Sequence, residues 1–156
     1  MRKVLVTGSA GFVGYHVTAM LLEAGWQVCG IDSLSDYYDV ELKKQRNKRL
    51  LKNENYTFEK ILIQDNKSIN RVFDDFRPEF VIHLAAQAGV RYSIDFPQTY
   101  VETNLVGSYI LLEALKKFGC KHFLFASTSS VYGGNLDMPY QEKDNTDLPM
   151  SFYAAT

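Results

Sequence analysis

The sequence contains only two cysteines among 156 residues. Cys29 and Cys120 lie far apart along the chain, and neither stands in a cluster of potential metal ligands. This excludes a disulfide framework and a cysteine-rich metal site. We therefore predict two buried, reduced thiols, a cytoplasmic protein and no bound metal.

The sequence also lacks a large net charge and long hydrophobic runs. Its formal net charge is −1, so it has no basic surplus to attract nucleic acid or an anionic membrane. No apolar run approaches the roughly 18 residues of a membrane-spanning helix. The apolar part of the first six residues is too short for a signal peptide. We expect neither a nucleic-acid nor a membrane partner.

Basic residues are concentrated in one segment, and histidines are scattered. The basic cluster is predicted to be a solvated helix face, because Glu41 precedes it and no aromatic residue interrupts it. It consists of Lys43, Lys44, Arg46, Lys48 and Arg49. The three histidines have no neighbouring ligand residues, so we predict structural roles for them. For His83, both a core position and a position at a strand end remain open.

One glycine motif is present where the first predicted strand ends. Residues 4–6 are apolar, residues 7–14 read TGSAGFVG, and a helical apolar pattern follows. Gly8 permits a tight turn, Gly11 lets a pyrophosphate approach the backbone, and Gly14 allows the helix to pack closely on the strand. The unpaired N–H groups at the helix start would face the phosphates. The motif in this context predicts a dinucleotide site rather than a purely structural turn.

A carboxylate follows the second predicted strand. The apolar run at 27–31 ends at Asp32, close to the distance from a glycine motif at which an acidic residue accepts both ribose hydroxyls. A 2′-phosphate at this position would meet a carboxylate instead of an arginine. Asp32 therefore favours NAD over NADP.

Strand and helix patterns alternate along the whole chain. The predicted strands cover residues 4–6, 27–31, 56–63, 80–85 and 121–127, and predicted helices cover 12–24, 39–51, 66–76 and 97–118. Asp65 is the expected cap of the third helix, and Gly119 closes the last one. This alternation predicts one Rossmann-like α/β domain, a doubly wound parallel sheet with strand order 3-2-1-4-5.

Further segments make the sequence resemble a known family. Residues 126–133 read ASTSSVYG, and residues 151–156, SFYAAT, look like the beginning of a Tyr-x-x-x-Lys helix. DYYDV at 36–40, HLAAQAGVRYS at 83–93 and NLVG at 104–107 accompany them. With the glycine motif, these segments resemble extended short-chain dehydrogenases/reductases, the NAD-dependent epimerase/dehydratase family, over all 156 residues. The resemblance is closest to UDP-glucuronate 4-epimerases.

The resemblance implies roles for individual residues. Thr128 would hydrogen-bond the 4-oxygen of the sugar, and Tyr153 would take its proton. Arg91 is implied to contact the substrate, although a structural salt bridge remains an equal alternative, and Ser129 and Ser130 would also lie at the sugar. The residues implied to bind NAD are Gly8, Gly11, Phe12, Val13, Gly14, Asp32, Asp65, Ala85, Ala86, Gln87 and Asn104.

The sequence departs from the family pattern in two places. The family's Gly-Asp pair, whose carboxylate meets the adenine amino group, is replaced by Ile61 and Leu62, with Asp65 three residues later. Adenine contact is therefore expected to be weaker or to come from the backbone. The lysine expected four positions after Tyr153 falls just beyond Thr156. Residues 1–156 are expected to form an incomplete NAD-binding Rossmann domain that lacks the substrate lobe and has no turnover by itself.

The resemblance implies an isomerase, active as a homodimer, that converts UDP-glucuronate to UDP-galacturonate through transient oxidation at C4. UDP-glucose 4-epimerase is an alternative, because these enzymes share most of the motifs. A nucleotide-sugar 4,6-dehydratase is disfavoured, since it would need an acidic residue where Ser129 and Ser130 stand. The non-enzymatic alternative is a truncated module that only binds NAD or associates with itself.

Overall fold

A five-stranded parallel sheet organises the structure, a computed structural model that describes residues 1–156. Its order is β3-β2-β1-β4-β5, which confirms the predicted fold class and strand order. In the central strand, Leu5 pairs with Cys29 on one side and with Val81 on the other. The strands are β1 Lys3–Thr7, β2 Gln27–Asp32, β3 Tyr56–Lys60, β4 Phe80–His83 and β5 His122–Phe125.

Helices connect the strands and cover both faces of the sheet. They are α1 Phe12–Glu23, α2 Val40–Leu50, α3 Asn66–Phe76, α4 Tyr92–Asp95, α5 Pro97–Tyr100, α6 Ser108–Phe118 and α7 Phe152–Ala155. The bounds of α3 and its Asp65 cap are as predicted. The long helix predicted at 97–118 is interrupted by a π-helical segment, Val101–Gly107, that joins α5 to α6. None of the helices is both long and apolar enough to cross a membrane.

Two hydrophobic layers form because side chains alternate across each strand. On one face, Leu5 and Val81 pack against α3 and α6, including Phe73 and Leu111. On the other face, Val4, Val6 and Val28 pack with Leu22 of α1 and Leu50 of α2. Complete burial of one such Val or Leu side chain contributes roughly 1.5–3 kcal/mol. The two layers hold the carboxyl ends of the strands in fixed relative positions.

Three strands end earlier than the sequence predicts. The sequence pattern predicts that β3 ends at residue 63, β4 at residue 85 and β5 at residue 127, whereas these strands end at Lys60, His83 and Phe125. One further ladder hydrogen bond follows each end, such as the one from the Leu84 N–H to the Thr7 carbonyl at 3.2 Å. Beyond these bonds the chain leaves the sheet, and the apolar residues that continue the strand pattern line clefts instead.

Candidate functional site

The glycine motif forms a tight turn between β1 and α1. Gly8 has a φ of 70°, and a Cβ there would lie 2.9 Å from the backbone of Leu84 and Ala85. A Cβ on Gly14 would collide with the Gly8 carbonyl oxygen. The Gly8 N–H donates to the Ile31 carbonyl at 2.7 Å, which ties the turn to the end of β2. The turn therefore requires glycine at both positions.

A cleft of about 410 Å³ opens at the start of α1, and we call it the glycine cleft. Gly11 is the N-cap of α1 and provides no side chain to cap the first turn. The first N–H groups of a helix have no partner within the helix, and the helix dipole adds partial positive charge there. This end can thus bind an anion such as a phosphate. The cleft is lined by Gly8, Gly11, Phe12, Val13, Gly14, Tyr38, Leu42, Arg46 and Leu84.

A second cleft, of about 240 Å³, adjoins the first and is called the Asp32 cleft. The Asp32 side chain is only 9% exposed. Its Oδ2 accepts a hydrogen bond from the Ala10 N–H at 3.1 Å, and its Oδ1 accepts one from the Leu34 N–H at 2.7 Å. These two bonds orient the carboxylate while leaving lone pairs for a ligand. The lining comprises Gly8, Gly11, Ile31, Asp32, Ser33, Ser35, Tyr38, Lys43, Ile61, Leu62, Ile63, Gln64, Leu84, Ala85, Ala86, Gln87, Thr99, Glu102 and Thr103.

Asp65 caps α3, as the sequence predicts, but it does not line the cleft that its predicted NAD contact requires. Its carboxylate caps α3: Oδ1 accepts from the N–H groups of Lys67 and Ser68 at 3.1 and 3.2 Å, and Oδ2 accepts from the Ser68 hydroxyl at 2.6 Å. These bonds lower the pKa of the Asp65 carboxyl. Leu62 and Gln64 line the Asp32 cleft, whereas Asp65 does not. The geometry thus favours a helix-capping role for Asp65 over an adenine contact.

The predicted solvated face of α2 is wrong for two of its basic residues. Lys43 is 5% exposed and lines the Asp32 cleft. Arg46 lines the glycine cleft and donates to the Tyr38 hydroxyl at 3.2 Å. A signal was present in the sequence, because Lys43, Asn47 and Leu50 are spaced to share one helix face, and all three are buried. The many charged residues of the segment conceal this spacing, which is the spacing of a buried helix face.

A third cleft, of about 230 Å³, adjoins the Asp32 cleft through their shared residues Leu84, Ala85 and Ala86. We call it the Tyr153 cleft. It brings together Thr128, which follows β5, and Tyr153, at the start of α7, as the sequence predicts for one site. Its lining is His83, Leu84, Ala85, Ala86, Ala88, Asn104, Ser108, Phe125, Ala126, Ser127, Thr128, Val131, Tyr153, Ala154 and Thr156.

Hydrogen bonds hold both of these residues in place, a local one at Thr128 and a long-range one at Tyr153. The Thr128 Oγ1 accepts from the Ser130 N–H at 3.2 Å, which caps the 3₁₀ turn Ser129–Tyr132. The Tyr153 N–H donates to the Ser93 Oγ at 3.2 Å. The Tyr153 ring also packs edge-on against Tyr100, with ring centroids 5.8 Å apart.

A hydrogen-bond network joins the carboxyl ends of β1 and β4. The Thr7 Oγ1 accepts from the N–H groups of Leu84 and Ala85, both at 3.0 Å, so its own hydrogen points to the His83 Nδ1 at 2.6 Å. This leaves the ring proton of neutral His83 on Nε2, which lies 3.2 Å from the Ser108 Oγ. Burial lowers the pKa of His83 to about 4. His83 is thus a neutral core histidine at a strand end, so both interpretations left open by the sequence are correct together.

Three predicted substrate residues lie outside the clefts. Neither Ser129 nor Ser130 lines the Tyr153 cleft, because the 3₁₀ turn carries them past Thr128. Arg91 is exposed, lines none of the three clefts, and forms no ion pair. The structure therefore gives no support to the predicted substrate contacts or to the alternative salt bridge of Arg91.

The cysteines and the metal-ligating residue types form no further site. Both cysteines are free, and burial raises the pKa of the Cys29 thiol to about 11. A thiol with such a pKa stays protonated and unreactive near neutral pH. No group of three His, Cys, Asp or Glu side chains is placed to hold a metal ion.

The parallel doubly wound sheet, with its glycine turn and its clefts at the carboxyl edge, places the chain in the class of Rossmann-type nucleotide-binding folds. The chain belongs to the GDP-mannose 4,6 dehydratase family, whose model matches residues 5–156. This confirms the resemblance to the epimerase/dehydratase group.

The chain is similar in sequence and in structure to individual sugar-nucleotide epimerases. The chain is 46% identical over 156 residues to a UDP-glucuronate 4-epimerase of Thermodesulfobacterium geofontis, covering 100% of the chain and 48% of the relative. A crystal structure of Bacillus cereus UDP-glucuronic acid 4-epimerase with UDP-glucuronic acid and NAD matches with a TM-score of 0.88 and 35% identity. This match covers 98% of the chain and 48% of that structure's chain. A crystal structure of Thermotoga maritima UDP-glucose 4-epimerase with UDP-glucose matches with a TM-score of 0.83 and 39% identity. The match covers 98% of the chain and 47% of that structure's chain. The chain spans about half the length of the curated relatives it matches.

Proposed function

We propose that residues 1–156 are the NAD-binding portion of a UDP-sugar 4-epimerase, with UDP-glucuronate as the substrate of the whole enzyme. One observation carries this proposal: the glycine cleft, the Asp32 cleft and the Tyr153 cleft adjoin one another along a single edge of the sheet. A dinucleotide needs such a continuous path with three chemically different parts. The B. cereus relative, crystallised with UDP-glucuronic acid and NAD, supports the same assignment.

The residues present fit NAD. Asp32 would accept from the ribose hydroxyls of adenosine, and its negative charge disfavours the 2′-phosphate of NADP. The first turn of α1 would bind the pyrophosphate through its unpaired N–H groups. The tight turn before it requires Gly8 and Gly14, because a Cβ at either position would collide with backbone atoms. Ala85, Ala86 and Gln87, held after β4, would line the passage towards the nicotinamide end.

Thr128 and Tyr153 would supply the chemistry at the sugar. When bound, NAD would accept a hydride from C4 of the sugar and return it to the opposite face of the same carbon. The net reaction would therefore be an isomerisation. The Thr128 hydroxyl would hydrogen-bond the 4-oxygen of the sugar. Tyr153 would remove the proton of the 4-hydroxyl and later give it back, which is general base and general acid catalysis by one residue.

A nucleotide-sugar 4,6-dehydratase is the alternative function, because the matching family is described as GDP-mannose 4,6 dehydratase. Loss of water from the sugar needs a group that protonates the leaving hydroxyl and a group that removes a proton from the neighbouring carbon. None of the residues that line the Tyr153 cleft is an aspartate or a glutamate. This composition favours epimerisation over elimination.

Calorimetric titration of the 156-residue chain with NAD and with NADP tests the cofactor assignment. We expect binding of NAD, weaker binding of NADP, and loss of NAD affinity in Asp32→Ala. Because the chain spans half the length of its relatives, turnover is tested in the whole protein with UDP-glucuronate and UDP-glucose. Faster conversion of UDP-glucose would change the substrate assignment, and absence of NAD binding would remove the proposal.

Self-association is part of the same proposal. Four apolar side chains one turn apart along the π-helical segment and α6 are between 38% and 62% exposed, namely Val101, Leu105, Tyr109 and Leu112. An exposed apolar stripe of this kind supports pairing with the same helices of a second copy. We expect a dimer in sedimentation velocity and a monomer after Leu105→Lys.

The two free thiols are compatible with the cytoplasm as the compartment, which localisation of a tagged whole protein would test.

A further inference from the structure

Lys43 is a buried cation at the wall of the Asp32 cleft. Its side chain lies on α2 and is only 5% exposed. Lysine is almost never buried to this degree unless it is paired with an opposite charge. Lys43 nevertheless takes part in none of the ion pairs in the structure. Its position therefore requires an explanation other than a salt bridge.

Neutral partners hold the ammonium but do not use all its hydrogens. The Lys43 Nζ donates to the Ser35 carbonyl at 2.8 Å and to the Ser35 Oγ at 2.9 Å. It also lies 4.3 Å from the centre of the Tyr38 ring. A lysine ammonium has three N–H donors, so one donor has no hydrogen-bond partner, and Lys43 lines the Asp32 cleft.

The charges around Lys43 favour an uncharged ligand group next to it. Burial lowers the pKa of Lys43, and the carboxylates of Asp32 and Asp36 partly counteract this effect. Asp32 lines the same cleft and has acceptors to offer, whereas Lys43 has only a donor to offer. A hydroxyl group is the ligand chemistry that uses both, because its hydrogen can go to a carboxylate while its oxygen accepts from an ammonium.

We propose that Lys43 donates a hydrogen bond to a hydroxyl oxygen of the adenosine ribose, so that Asp32 and Lys43 together bind the ribose diol. This inference rests on the proposed function, since it takes the Asp32 cleft as the adenosine site. It assigns a binding role to a residue whose sequence context indicated a solvated helix face. It also gives a role to the one N–H donor of Lys43 that has no hydrogen-bond partner within the chain.

A structural role for Lys43 makes a different prediction. The bonds to Ser35 brace the segment between β2 and α2, and loss of that brace would weaken binding of any ligand in the cleft. Loss of a ribose contact would instead matter only for ligands that carry the contacted hydroxyl. Analogues of NAD that lack either the 2′- or the 3′-hydroxyl of the adenosine ribose distinguish the two roles.

The experiment compares Lys43→Met, which keeps the apolar stem and removes the ammonium, with Lys44→Met on the exposed side of the same helix. Affinities of both variants and the unsubstituted chain are measured by calorimetry for NAD and the two deoxy analogues. We expect Lys43→Met to bind NAD about tenfold or more weakly, as for loss of a charged hydrogen bond. For the analogue that lacks the contacted hydroxyl, the loss should be close to zero. Lys44→Met should match the unsubstituted chain throughout.

Two results would overturn the assignment of Lys43 alone. They are unchanged NAD affinity in Lys43→Met, and an equal loss for NAD and both deoxy analogues. Failure of the unsubstituted chain to bind NAD would instead overturn the proposed function and this inference together. If circular dichroism shows that Lys43→Met is unfolded, Lys43→Leu, which also lacks an N–H donor, is measured against the same three ligands and must show the same selective loss.

Discussion

Asn104 binds the main chain of Gln87 through both ends of its side-chain amide. The Oδ1 accepts the Gln87 N–H at 2.8 Å, and the Nδ2 donates to the Gln87 carbonyl at 3.0 Å. Both residues are 7% exposed. Asn104 lines the Tyr153 cleft and Gln87 lines the Asp32 cleft. The pair therefore fixes the passage between the two clefts.

Removal of this amide should destabilise the protein. Asn104→Ala leaves the buried N–H and carbonyl of Gln87 without partners, which costs roughly 1–3 kcal/mol for each unsatisfied group. We expect the free energy of unfolding, measured by urea denaturation, to fall by about 2 kcal/mol or more. Gln98→Ala is the control, because its hydrogen bond to Glu102 is exposed. Equal stability of the two variants would contradict the role of Asn104 as a buried clamp.

The buried His83 should make stability depend on pH. Its pKa is lowered to about 4 in the folded chain, whereas it lies near 6.5 when exposed. Between these values the unfolded chain binds the proton and the folded chain does not, so the free energy of unfolding rises with pH. The contribution is complete above about pH 6.5 and is lost as the pH falls towards 4, by about 3 kcal/mol.

His83→Gln isolates this contribution from that of the carboxylates. Urea denaturation at a series of pH values should show a shallower dependence between pH 4 and 6.5 in the variant than in the unsubstituted chain. His16→Gln is the matched control, since His16 is exposed. Parallel curves for His83→Gln and the unsubstituted chain would show that His83 does not titrate as its burial requires.

The fold was predictable because its signals are local and repeated. The glycine turn at Gly8, the Asp65 cap and the alternation of apolar runs each mark an element boundary from a few neighbouring residues. Strand order follows from this alternation and from the handedness of crossovers. The π-helical segment Val101–Gly107 has no such mark. At its end Gly107 packs so closely on Ile63 that a Cβ would collide with it, a tertiary contact that local sequence patterns do not reveal.

The site was predictable only in part, for a related reason. Motif residues such as Asp32 lie where the sequence places them, at strand ends that share one edge of the sheet. The burial of Lys43 is not predicted because the charges of the segment conceal the spacing it shares with Asn47 and Leu50, and because its partners, the carbonyl and hydroxyl of Ser35, precede the helix. The resemblance implies that Ser129 and Ser130 lie at the sugar because they follow Thr128, whereas in the structure they begin a 3₁₀ turn and do not line the Tyr153 cleft.

Gly14 should tolerate no side chain. Alanine in place of glycine within a helix normally stabilises by up to about 1 kcal/mol. In Gly14→Ala the added Cβ would collide with the Gly8 carbonyl oxygen, so the turn must shift. We expect a net loss of about 1–3 kcal/mol in the free energy of unfolding, as for overpacking in general, together with weaker NAD binding.

Gly134→Ala is the control for this prediction. A Cβ on Gly134 would meet only the sulfur of Met150 at 4.0 Å, an ordinary contact distance. Its stability and NAD affinity should stay close to those of the unsubstituted chain. A stabilised Gly14→Ala variant with full NAD affinity would show that the close approach of α1 to the turn can relax without consequence.

Leu62 offers a way to strengthen NAD binding. Its side chain lines the Asp32 cleft and is 53% exposed, so a carboxylate there would remain hydrated. In Leu62→Asp the new carboxylate could accept from the adenine amino group, a bond the apolar side chain cannot make. One such bond contributes about 0.5–1.5 kcal/mol, which corresponds to roughly two- to tenfold tighter binding in calorimetry.

A matched variant and a modified ligand make the Leu62→Asp result specific. Leu51 is also 53% exposed but lies outside the clefts, so Leu51→Asp adds the same charge without changing NAD affinity. The 1,N6-etheno analogue of NAD lacks the adenine amino donor, and the gain should vanish with it. A gain that persists with this analogue would assign the effect to general electrostatics. Weaker NAD binding in Leu62→Asp would instead mean that the adenine ring packs on the apolar side chain of Leu62. The substitution would remove that apolar contact and place a carboxylate under the ring, where its desolvation is costly.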